Sequence, residues 1–510
     1  MLKLLDTMEQ ARSEVKRVIQ DKTLTHSQTV SALAKTAENL LPYPEGTPKE
    51  FSEMFDKGII CDLAEGHAPY APRYILPDYE KFMRQGSKFL RLEPPSDLYE
   101  ALNSLLIFYR HVPSVTHFPV FMGRIDRLLE PFIQHSDEAR ALIRGFLIHC
   151  DRTFTSSYCH MNLGPEDTKA GRIILDLEAE LQHCVPNMTF RYDPTATPDD
   201  LAELAVKSAL ACANPAFAFD PMYVSDFGGE DYGIASCYNG LPIGGGAFSL
   251  SRIRLNRIAE QSDSMDDFFR NRLPRAADAL CRFIEAKIRF IVEETPFFRS
   301  NFLAAEGFID ISRFAGLFGI VGLCECVNHL MKLQGKPAAF GSSEDANQLG
   351  VAVMECLQQE VGRFTSAYSA VWDNHFILHA QVGAENDEGV SPGARIAIGS
   401  EMPLYDHLRQ AGLFHRFFPS GVGDIFPFDT TASRNHAAIL DVFKGAFKVG
   451  MRYISTYAAD SDLVRVTGYL AKRSDVAAYA GGSPALNDTV AGSVESFDKR
   501  GILSRKVRSI

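Results

Sequence analysis

The spacing of apolar residues differs between parts of the chain. Over the first 170 residues they recur mostly at helical intervals, as in ARALIRGFLIHC at 139–150. The opening stretch, MLKLLDTMEQARSEVKRVIQ, predicts an amphipathic helix, because charged residues interrupt it too early for an export signal. From about residue 185, short strand-like runs such as MTFRYD and AFAFDPMYV alternate with helical ones. This alternation predicts an α/β core with a helical N-terminal part.

The second half of the chain continues the alternation. Helices are predicted over 275–294 and 344–369, with the apolar segment FAGLFGIVGLCECV between them. The pattern at 433–458 predicts another helix, with Ser433 as its N-cap. That helix leads into DSDLVRVTGYLAKRSD, a short strand pattern with Gly468 in its middle. Glycine weakens a strand because it costs backbone entropy and packs no side chain, so this position needs a specific reason.

Composition narrows the class of protein. The 510 residues carry 52 Lys and Arg against 64 Asp and Glu, a formal net charge of −12, which argues against nucleic acid or an anionic membrane as the main partner. No run of 18 apolar residues occurs, so no transmembrane helix is predicted. The ten cysteines lie between Cys61 and Cys356, and none belongs to a C-x-x-C pair. These features predict a cytoplasmic protein with reduced thiols that acts on a small molecule.

Two cysteine-bearing stretches carry candidate chemistry. Cys237 lies on a glycine-rich loop, GIASCYNGLPIGGG, whose tight turns would present it to a ligand or another segment; a buried structural cysteine is the alternative. In GLFGIVGLCECVN, Glu325 stands between Cys324 and Cys326 at the end of an apolar run. Burial would raise the pKa of Glu325 and suit it to acid/base catalysis, although a core segment that ends at the surface explains the pattern equally well. The C-x-C pair lacks a second pair to complete a metal site.

Five short motifs resemble those of glycyl radical enzymes and occur in the same order. They are GRIDRLLEPF at 123–132, PNMTFRYDP at 186–194, the Cys237 loop with GGGAFSLSRIRLNRIA after it, IVGLCE at 320–325 and RVTGYLA at 465–471. The last resembles the signature Arg-Val-x-Gly-Tyr near the C-terminus of these enzymes. The Cys237 loop resembles the cysteine loop of the anaerobic ribonucleotide reductases. As a whole, the pattern is most similar to the YjjI family, whose reaction is unassigned.

This resemblance implies a fold and an organisation. The fold is a ten-stranded α/β barrel of two half-barrels, with two inner finger loops that carry the cysteine and the glycine. The chain then divides into a mainly helical N-terminal part of the catalytic domain at 1–170, a barrel core with the cysteine loop at 171–440 and a C-terminal glycyl-radical region at 441–510. The resemblance also implies a homodimer and activation by a separate radical S-adenosylmethionine enzyme.

The resemblance further implies roles for individual residues. Gly468 would store a radical formed by loss of an α-hydrogen. Cys237 would then pass the radical, as a thiyl, to a small organic substrate that undergoes elimination or cleavage of a C–C or C–heteroatom bond. Cys326 is the second candidate for the thiyl, and Glu325 is the candidate acid/base group. The radical on Gly468 is the expected cofactor, and no bound metal is expected.

Two other functions fit parts of the sequence. One is a reductase of nucleotides or related substrates, similar to the anaerobic ribonucleotide reductases. Cys356 is the last cysteine, however, so the four-cysteine zinc site around the radical loop of those enzymes cannot form here. The other is a binding or regulatory protein that keeps the fold without the chemistry. The presence of both Cys237 and Gly468 argues against that alternative.

Overall fold

The helical elements follow the sequence pattern closely. A computed structural model describes residues 8–62, 70–114, 117–381 and 387–509. The predicted N-terminal helix is present from Met8, and its first seven residues lie outside the described part. The α-helices are α1 (Met8–Gln20), α2 (His26–Glu38), α3 (Lys49–Asp56), α4 (Tyr79–Gln85), α5 (Leu98–Arg110), α6 (Ile125–Leu129), α7 (Ser136–Thr153), α8 (Lys169–Leu181), α9 (Asp199–Cys212), α10 (Asp220–Phe227), α11 (Leu255–Glu260), α12 (Met265–Asp267), α13 (Leu273–Arg289), α14 (Phe297–Ser300), α15 (Phe302–Ala305), α16 (Leu323–Leu333), α17 (Glu344–Gly362), α18 (Leu404–His415), α19 (His436–Lys448), α20 (Arg473–Ala480) and α21 (Val490–Asp498).

The strands are short, and most of them are buried on both faces. In chain order they are β1 (Ile60–Asp62), β2 (Tyr74–Leu76), β3 (His160–Leu163), β4 (Asn187–Tyr192), β5 (Ala216–Phe219), β6 (Tyr232–Ala235), β7 (Asn239–Pro242), β8 (Gly245–Arg254), β9 (Phe314–Val321), β10 (Ile377–Ala380), β11 (Asp424–Phe428), β12 (Tyr453–Ala458), β13 (Leu463–Arg465) and β14 (Leu470–Lys472). Such continuous burial is typical of sheets covered by helices.

Ten of these strands form two five-stranded sheets. The first has the order β1-β8-β9-β10, and β2 also pairs with β8; β8, β9 and β10 are parallel, whereas β1 and β2 run antiparallel to β8. The second has the order β11-β12-β5-β4-β3, and β12 is antiparallel to β5. Ten strands in two sheets is the arrangement that two half-barrels predict. Strands from all three predicted segments contribute to them.

The other four strands form two hairpins that pack against the second sheet. One hairpin is β6-β7 and the other is β13-β14, and both are antiparallel. The first sheet reaches the same region through its edge strand, because the amide of Ala380 donates to the carbonyl of Gly421 just before β11 (3.0 Å). The two loops expected to carry the cysteine and the glycine are thus hairpins. Among the described helices, none combines the length and apolar character needed to cross a membrane.

The structure corrects the helix predicted at 433–458. The helix present there is α19, which is shorter and spans only His436–Lys448. The side chain of Asn435, not that of Ser433, caps its N-terminus. Gly450, with φ of +101°, takes the chain out of the helical path, as left-handed residues commonly do after a helix. The following YISTYA contains two aromatic and two β-branched residues and forms β12.

Two further predictions change in detail. The run AFAFDPMYV is a strand only as far as Phe219; α10 begins at Asp220, with Pro221 in its first turn, where proline is well tolerated. The helix predicted to reach residue 369 ends at Gly362. The apolar segment FAGLFGIVGLCECV comprises β9 and the start of α16.

Candidate active site

Gly468 lies at the tip of the hairpin formed by β13 and β14. Across this tip, the amide of Val466 donates to the carbonyl of Tyr469 (3.0 Å). The single strand predicted here is therefore two short strands with the glycine in the turn between them. A glycine at a hairpin tip offers its own backbone to the neighbouring segment, with no side chain in between.

Cys237 lies at the tip of the other hairpin, between β6 and β7. Ser236 before it has φ of +59°, a conformation that costs free energy in residues other than glycine and persists only where neighbouring contacts fix it. One such contact is the amide of Ser236, which donates to the carbonyl of Val120 (2.8 Å). The side chain of Asn162 binds both backbone groups of Ile234 (2.7 and 2.8 Å). These bonds hold the Cys237 side chain, which is 6% exposed, in one direction.

The two hairpin tips touch each other. A Cβ added to Gly468 would lie 2.9 Å from Sγ of Cys237 and 3.0 Å from its Cα, closer than non-bonded carbon atoms approach. No side chain therefore fits at position 468 unless Cys237 moves. Since a Cβ would replace one of the two α-hydrogens of Gly468, that hydrogen points at the cysteine side chain. The structure thus brings together the two residues that the sequence paired.

One buried side-chain amide binds both tips. Nδ2 of Asn187 donates to the carbonyl of Gly468 (2.7 Å) and, more weakly, to the carbonyl of Ser236 next to Cys237 (3.4 Å). Its Oδ1 accepts from Nη1 of Arg465 (2.9 Å). A buried amide with both ends satisfied is held in one orientation. Because Asn187 is the first residue of β4, the sheet itself fixes the glycine relative to the cysteine.

A chain of three side chains supports the cysteine loop. The hydroxyl of Tyr453 donates to the carbonyl of Cys237 (3.1 Å) and lies 3.1 Å from the hydroxyl of Thr189. Nε2 of His160 lies 2.7 Å from the hydroxyl of Thr189, and Nδ1 of His160 lies 3.0 Å from the carbonyl of Ser236. A carbonyl only accepts, so Nδ1 of His160 carries the hydrogen. Burial lowers the pKa of His160 to about 3, which keeps the ring neutral.

The glycine hairpin is anchored by further hydrogen bonds to its backbone. Arg505 donates to the carbonyls of Arg465 and Val466 (2.6 and 2.5 Å). The hydroxyl of Ser157 accepts from the amide of Leu470 on the other arm (2.8 Å). All these groups are buried. The backbone of the tip is therefore enclosed by buried side chains.

The structure places Glu325 and Cys326 on the first turn of α16. The carboxylate of Glu325 accepts from the hydroxyl and the amide of Ser391 (2.6 and 3.0 Å). Burial raises the pKa of Glu325, and the bonds from Ser391 partly oppose this. Cys326 packs in the main hydrophobic core, where burial raises its thiol pKa, whereas Cys237 packs in a separate cluster. No described contact brings Glu325 or Cys326 to Gly468.

The chemistry available at the tips is that of a backbone carbon and a thiol. A radical on a glycine Cα is planar and is delocalised into the flanking amides, so a hydrogen bond to the Gly468 carbonyl favours it. The contacting thiol of Cys237 supplies a transferable hydrogen atom. Among the described residues, no three or more His, Cys, Asp and Glu side chains are grouped so that they could hold a metal ion.

Solved structures share this fold. The anaerobic ribonucleotide reductase from Thermotoga maritima in complex with dATP and CTP has a TM-score of 0.65, with 13% identity over 91% of this chain and 88% of that one. Hydroxyproline dehydratase from Clostridioides difficile with trans-4-hydroxy-L-proline bound has a TM-score of 0.67, with 11% identity over 98% of this chain and 88% of that one. The fold is thus the one found in glycyl radical enzymes, as the motifs predicted.

Sequence relatives define the family. The model of the family described as "Glycyl radical enzyme YjjI-like" matches residues 24–508, so the chain belongs to that family. An uncharacterized protein of Haemophilus influenzae is 45% identical over 471 residues, which cover 91% of each chain. The uncharacterized protein YjjI of Escherichia coli K12 is 40% identical over 496 residues, 97% of this chain and 95% of that protein. These matches confirm the family inferred from the five motifs.

Sequence reasoning missed most of the residues that hold the tips. Asn187 lies inside the motif PNMTFRYDP, and a polar residue at the start of a buried strand was a usable signal. Tyr453 lies within the helix predicted at 433–458, whereas the structure places it in β12, so the direction of its side chain could not be predicted. His160 and Ser157 lie outside every motif, and nothing in the sequence marked them.

The neutral histidine gives a testable pH dependence. In the unfolded chain, His160 takes up a proton below its ordinary pKa of about 6.5; in the folded protein it stays neutral down to about pH 3. Unfolding therefore binds a proton within this window, and the free energy of unfolding falls as the pH drops below about 6.5. For this one group the loss at pH 5.5 is about 1.4 kcal/mol. Between pH 7.5 and 5.5, the free energy of unfolding should fall in His160→Gln by about 1.4 kcal/mol less than it falls in wild type. Urea unfolding at the two pH values measures this difference.

The matched control for this experiment is His135→Gln. His135 lies on the surface just before α7, and its replacement should leave the pH dependence of the wild type unchanged. An equal pH dependence in His160→Gln and wild type would show that His160 is protonated in the folded protein, contrary to the structure.

Proposed function

We propose that this protein is a glycyl radical enzyme in which Gly468 stores the radical and Cys237 passes it to the substrate. Family membership supplies the class of chemistry. The observation that carries the assignment of residues is the contact of the two hairpin tips, in which an α-hydrogen of Gly468 points at the side chain of Cys237. Radical transfer between a backbone carbon and a sulfur needs this contact, because a hydrogen atom moves only between adjacent groups.

The proposed reaction proceeds by hydrogen-atom transfers. Activation removes one α-hydrogen from Gly468 and leaves an unpaired electron on Cα. This radical takes the hydrogen atom of the Cys237 thiol, so an S–H bond breaks, a C–H bond forms and the unpaired electron moves to sulfur. The thiyl then takes a hydrogen atom from a substrate carbon. After the substrate radical has eliminated a group or fragmented, the product radical recovers a hydrogen atom from Cys237.

Other residues have supporting roles in this proposal. Asn187 holds the two tips in contact and draws spin density toward the Gly468 carbonyl. Glu325 is the candidate acid/base group, since burial raises its pKa above the ordinary value of a carboxyl. Cys326 remains the second candidate for the thiyl, but its packing in a different cluster from Cys237 weighs against it.

The proposed reaction is an elimination or the cleavage of a C–C or C–heteroatom bond in a small organic molecule. The fold shared with a dehydratase is consistent with this type of chemistry. Nucleotide reduction is the weaker candidate, because no cysteine follows Cys356 to form a C-terminal zinc site. The proposed partner is a radical S-adenosylmethionine activating enzyme, and the proposed working form is a cytoplasmic homodimer.

The radical assignment predicts the outcome of replacing Gly468. After anaerobic activation by the partner enzyme, wild type should give a glycine-centred doublet in electron paramagnetic resonance. Gly468→Ala should give none, because an alanine Cβ collides with Cys237 and the glycine Cα is lost. Gly492→Ala is the matched control, since its Cβ would meet only the hydroxyl of Tyr469 at 3.9 Å. A full doublet in folded Gly468→Ala, with folding checked by circular dichroism, would refute the assignment.

The thiyl assignment predicts how the radical exchanges hydrogen with solvent. In D₂O, repeated transfer between Cys237 and Gly468 brings deuterium from the thiol to Cα, so the doublet should collapse to a singlet. Cys237→Ala should keep the doublet in D₂O, because the radical forms but cannot exchange. Cys326→Ala should exchange as fast as wild type. The reverse pattern would transfer the thiyl role to Cys326.

The role of Asn187 predicts a spectroscopic change. Asn187→Asp keeps an oxygen for Arg465 but removes the N–H that binds the Gly468 carbonyl. We expect a larger α-proton splitting in the doublet, because less spin reaches the carbonyl. Exchange in D₂O should slow by about tenfold, which corresponds to roughly 1.4 kcal/mol of lost positioning. Asn435→Asp, at the N-cap of α19, makes the same chemical change elsewhere and should alter neither quantity. An unchanged splitting and rate in Asn187→Asp would contradict the role.

A further inference from the structure

We propose that the substrate carries a carboxylate, which the guanidinium group of Arg395 binds beside Cys237. This inference rests on the proposed function, because it names the substrate class of the same site. It comes from the position of Arg395, from its unused hydrogen-bond donors and from the charges around it.

Arg395 is fixed where two tyrosine rings meet next to the cysteine. Its Nε donates to the carbonyl of Gly423 (2.6 Å). A Cβ on Gly423 would lie 2.6 Å from the ring of Tyr453 and 3.4 Å from the ring of Tyr238. The guanidinium carbon of Arg395 lies 5.7 Å from the centre of the Tyr238 ring. Tyr238 follows Cys237 in the chain, and Tyr453 donates to the Cys237 carbonyl, so Arg395 lies next to the two aromatic residues that adjoin the cysteine backbone.

The two terminal nitrogens of Arg395 are available to a ligand. Among the described residues, neither Nη1 nor Nη2 has a hydrogen-bond acceptor, and no carboxylate lies within 4.0 Å. Neither atom is among the fully enclosed polar atoms without a partner, so each keeps some accessible surface. Asp424 lies in the same region, but its carboxylate already accepts from His407 and from the amide of Ile425. A half-buried guanidinium with unused N–H groups favours an anionic ligand.

The surroundings strengthen this preference. Arg465 and Arg505 are buried behind the glycine hairpin, and neither forms an ion pair with any described carboxylate. Both guanidinium groups bind backbone carbonyls or side-chain amides. Asp424 supplies one negative charge in this region, because the neighbouring His407 and Arg395 keep the pKa of its carboxyl below its ordinary value despite burial. Arg395, Arg465 and Arg505 together outnumber that charge, in an interior where charges are weakly screened.

The geometry favours a carboxylate over a phosphate. Because Nε of Arg395 is used by Gly423, the free donors are Nη1 and Nη2, which face one direction and match the two oxygens of a carboxylate. A phosphate dianion is usually held by several donors at once, such as the backbone N–H groups of a helix N-terminus or a glycine-rich nest. The described contacts of Arg395 include neither. One guanidinium thus matches one carboxylate in both charge and shape.

Alkylation of Cys237 in the full-length, unactivated protein tests this proposal. Iodoacetate and iodoacetamide form the same C–S bond to the cysteine and release iodide, but only iodoacetate carries a carboxylate. We expect the rate ratio of iodoacetate to iodoacetamide at Cys237, measured by peptide mass spectrometry, to fall at least about tenfold in Arg395→Gln. Arg395→Lys should keep part of the preference. Acetate, but not acetamide, should slow the iodoacetate reaction in wild type.

The controls are contained in the same chain. Cys356, which is half-buried, reports the intrinsic reagent ratio and should not change between variants. Arg409→Gln removes an exposed arginine that stacks on Tyr405 and should leave the ratio at Cys237 unchanged. Iodoacetamide should react equally with wild type and Arg395→Gln if the variant is folded.

Three results would overturn the proposal. They are an unchanged ratio in Arg395→Gln, a Cys237 that reacts with neither reagent, and competition by inorganic phosphate in place of acetate. None of these three results contradicts the proposed function, provided that activated Arg395→Gln still gives the glycine-centred doublet. Loss of that doublet in folded Gly492→Ala as well as in Gly468→Ala would instead count against the radical assignment itself.

Discussion

The chemistry proposed for this protein depends on one contact, between the backbone of Gly468 and the side chain of Cys237. The contact is possible only because position 468 has no side chain, since an added Cβ would collide with the cysteine. The proposed radical also needs enclosure, because a radical on carbon reacts with oxygen. The two requirements explain why both residues lie at hairpin tips that point into the protein and are buried there.

The tips are held mainly through their backbone carbonyls. The carbonyls of Ser236, Cys237, Arg465, Val466 and Gly468 each accept from a buried side chain. A buried carbonyl that loses its partner costs about 1–3 kcal/mol, so small displacements of either tip are opposed several times over. For the same reason, presenting Gly468 to a separate activating protein requires several of these bonds to break together. In the proposed activation, the hairpin would therefore have to open cooperatively.

The sequence predicted the class of fold and the central pair of residues, but little of what surrounds them. Strand and helix periods identified α7, α9 and β4, and the motifs identified Gly468 and Cys237. Asn187, Tyr453 and Arg395 escaped notice because their roles depend on where their side chains point, and that is set by packing between distant elements. The error at 433–458 shows the same limit, since one glycine in the left-handed region converts a continuous apolar pattern into a helix and a strand.

The C-terminal tail shows how this chain anchors its glycine hairpin without cysteines. No cysteine follows Cys356, and no group of three or more His, Cys, Asp and Glu side chains in the described part of the chain could hold a metal ion. Basic side chains of the tail bind carbonyls instead: Arg505 holds the hairpin itself, and Lys506 and Arg508 donate to Glu401 and Met402. The bridge between Arg508 and Phe428 in β11 ties the tail to the second sheet. Hydrogen bonds of this kind can be broken and remade without losing a metal ion, which suits the proposed activation, in which the hairpin would leave its place and return to Cys237 afterwards.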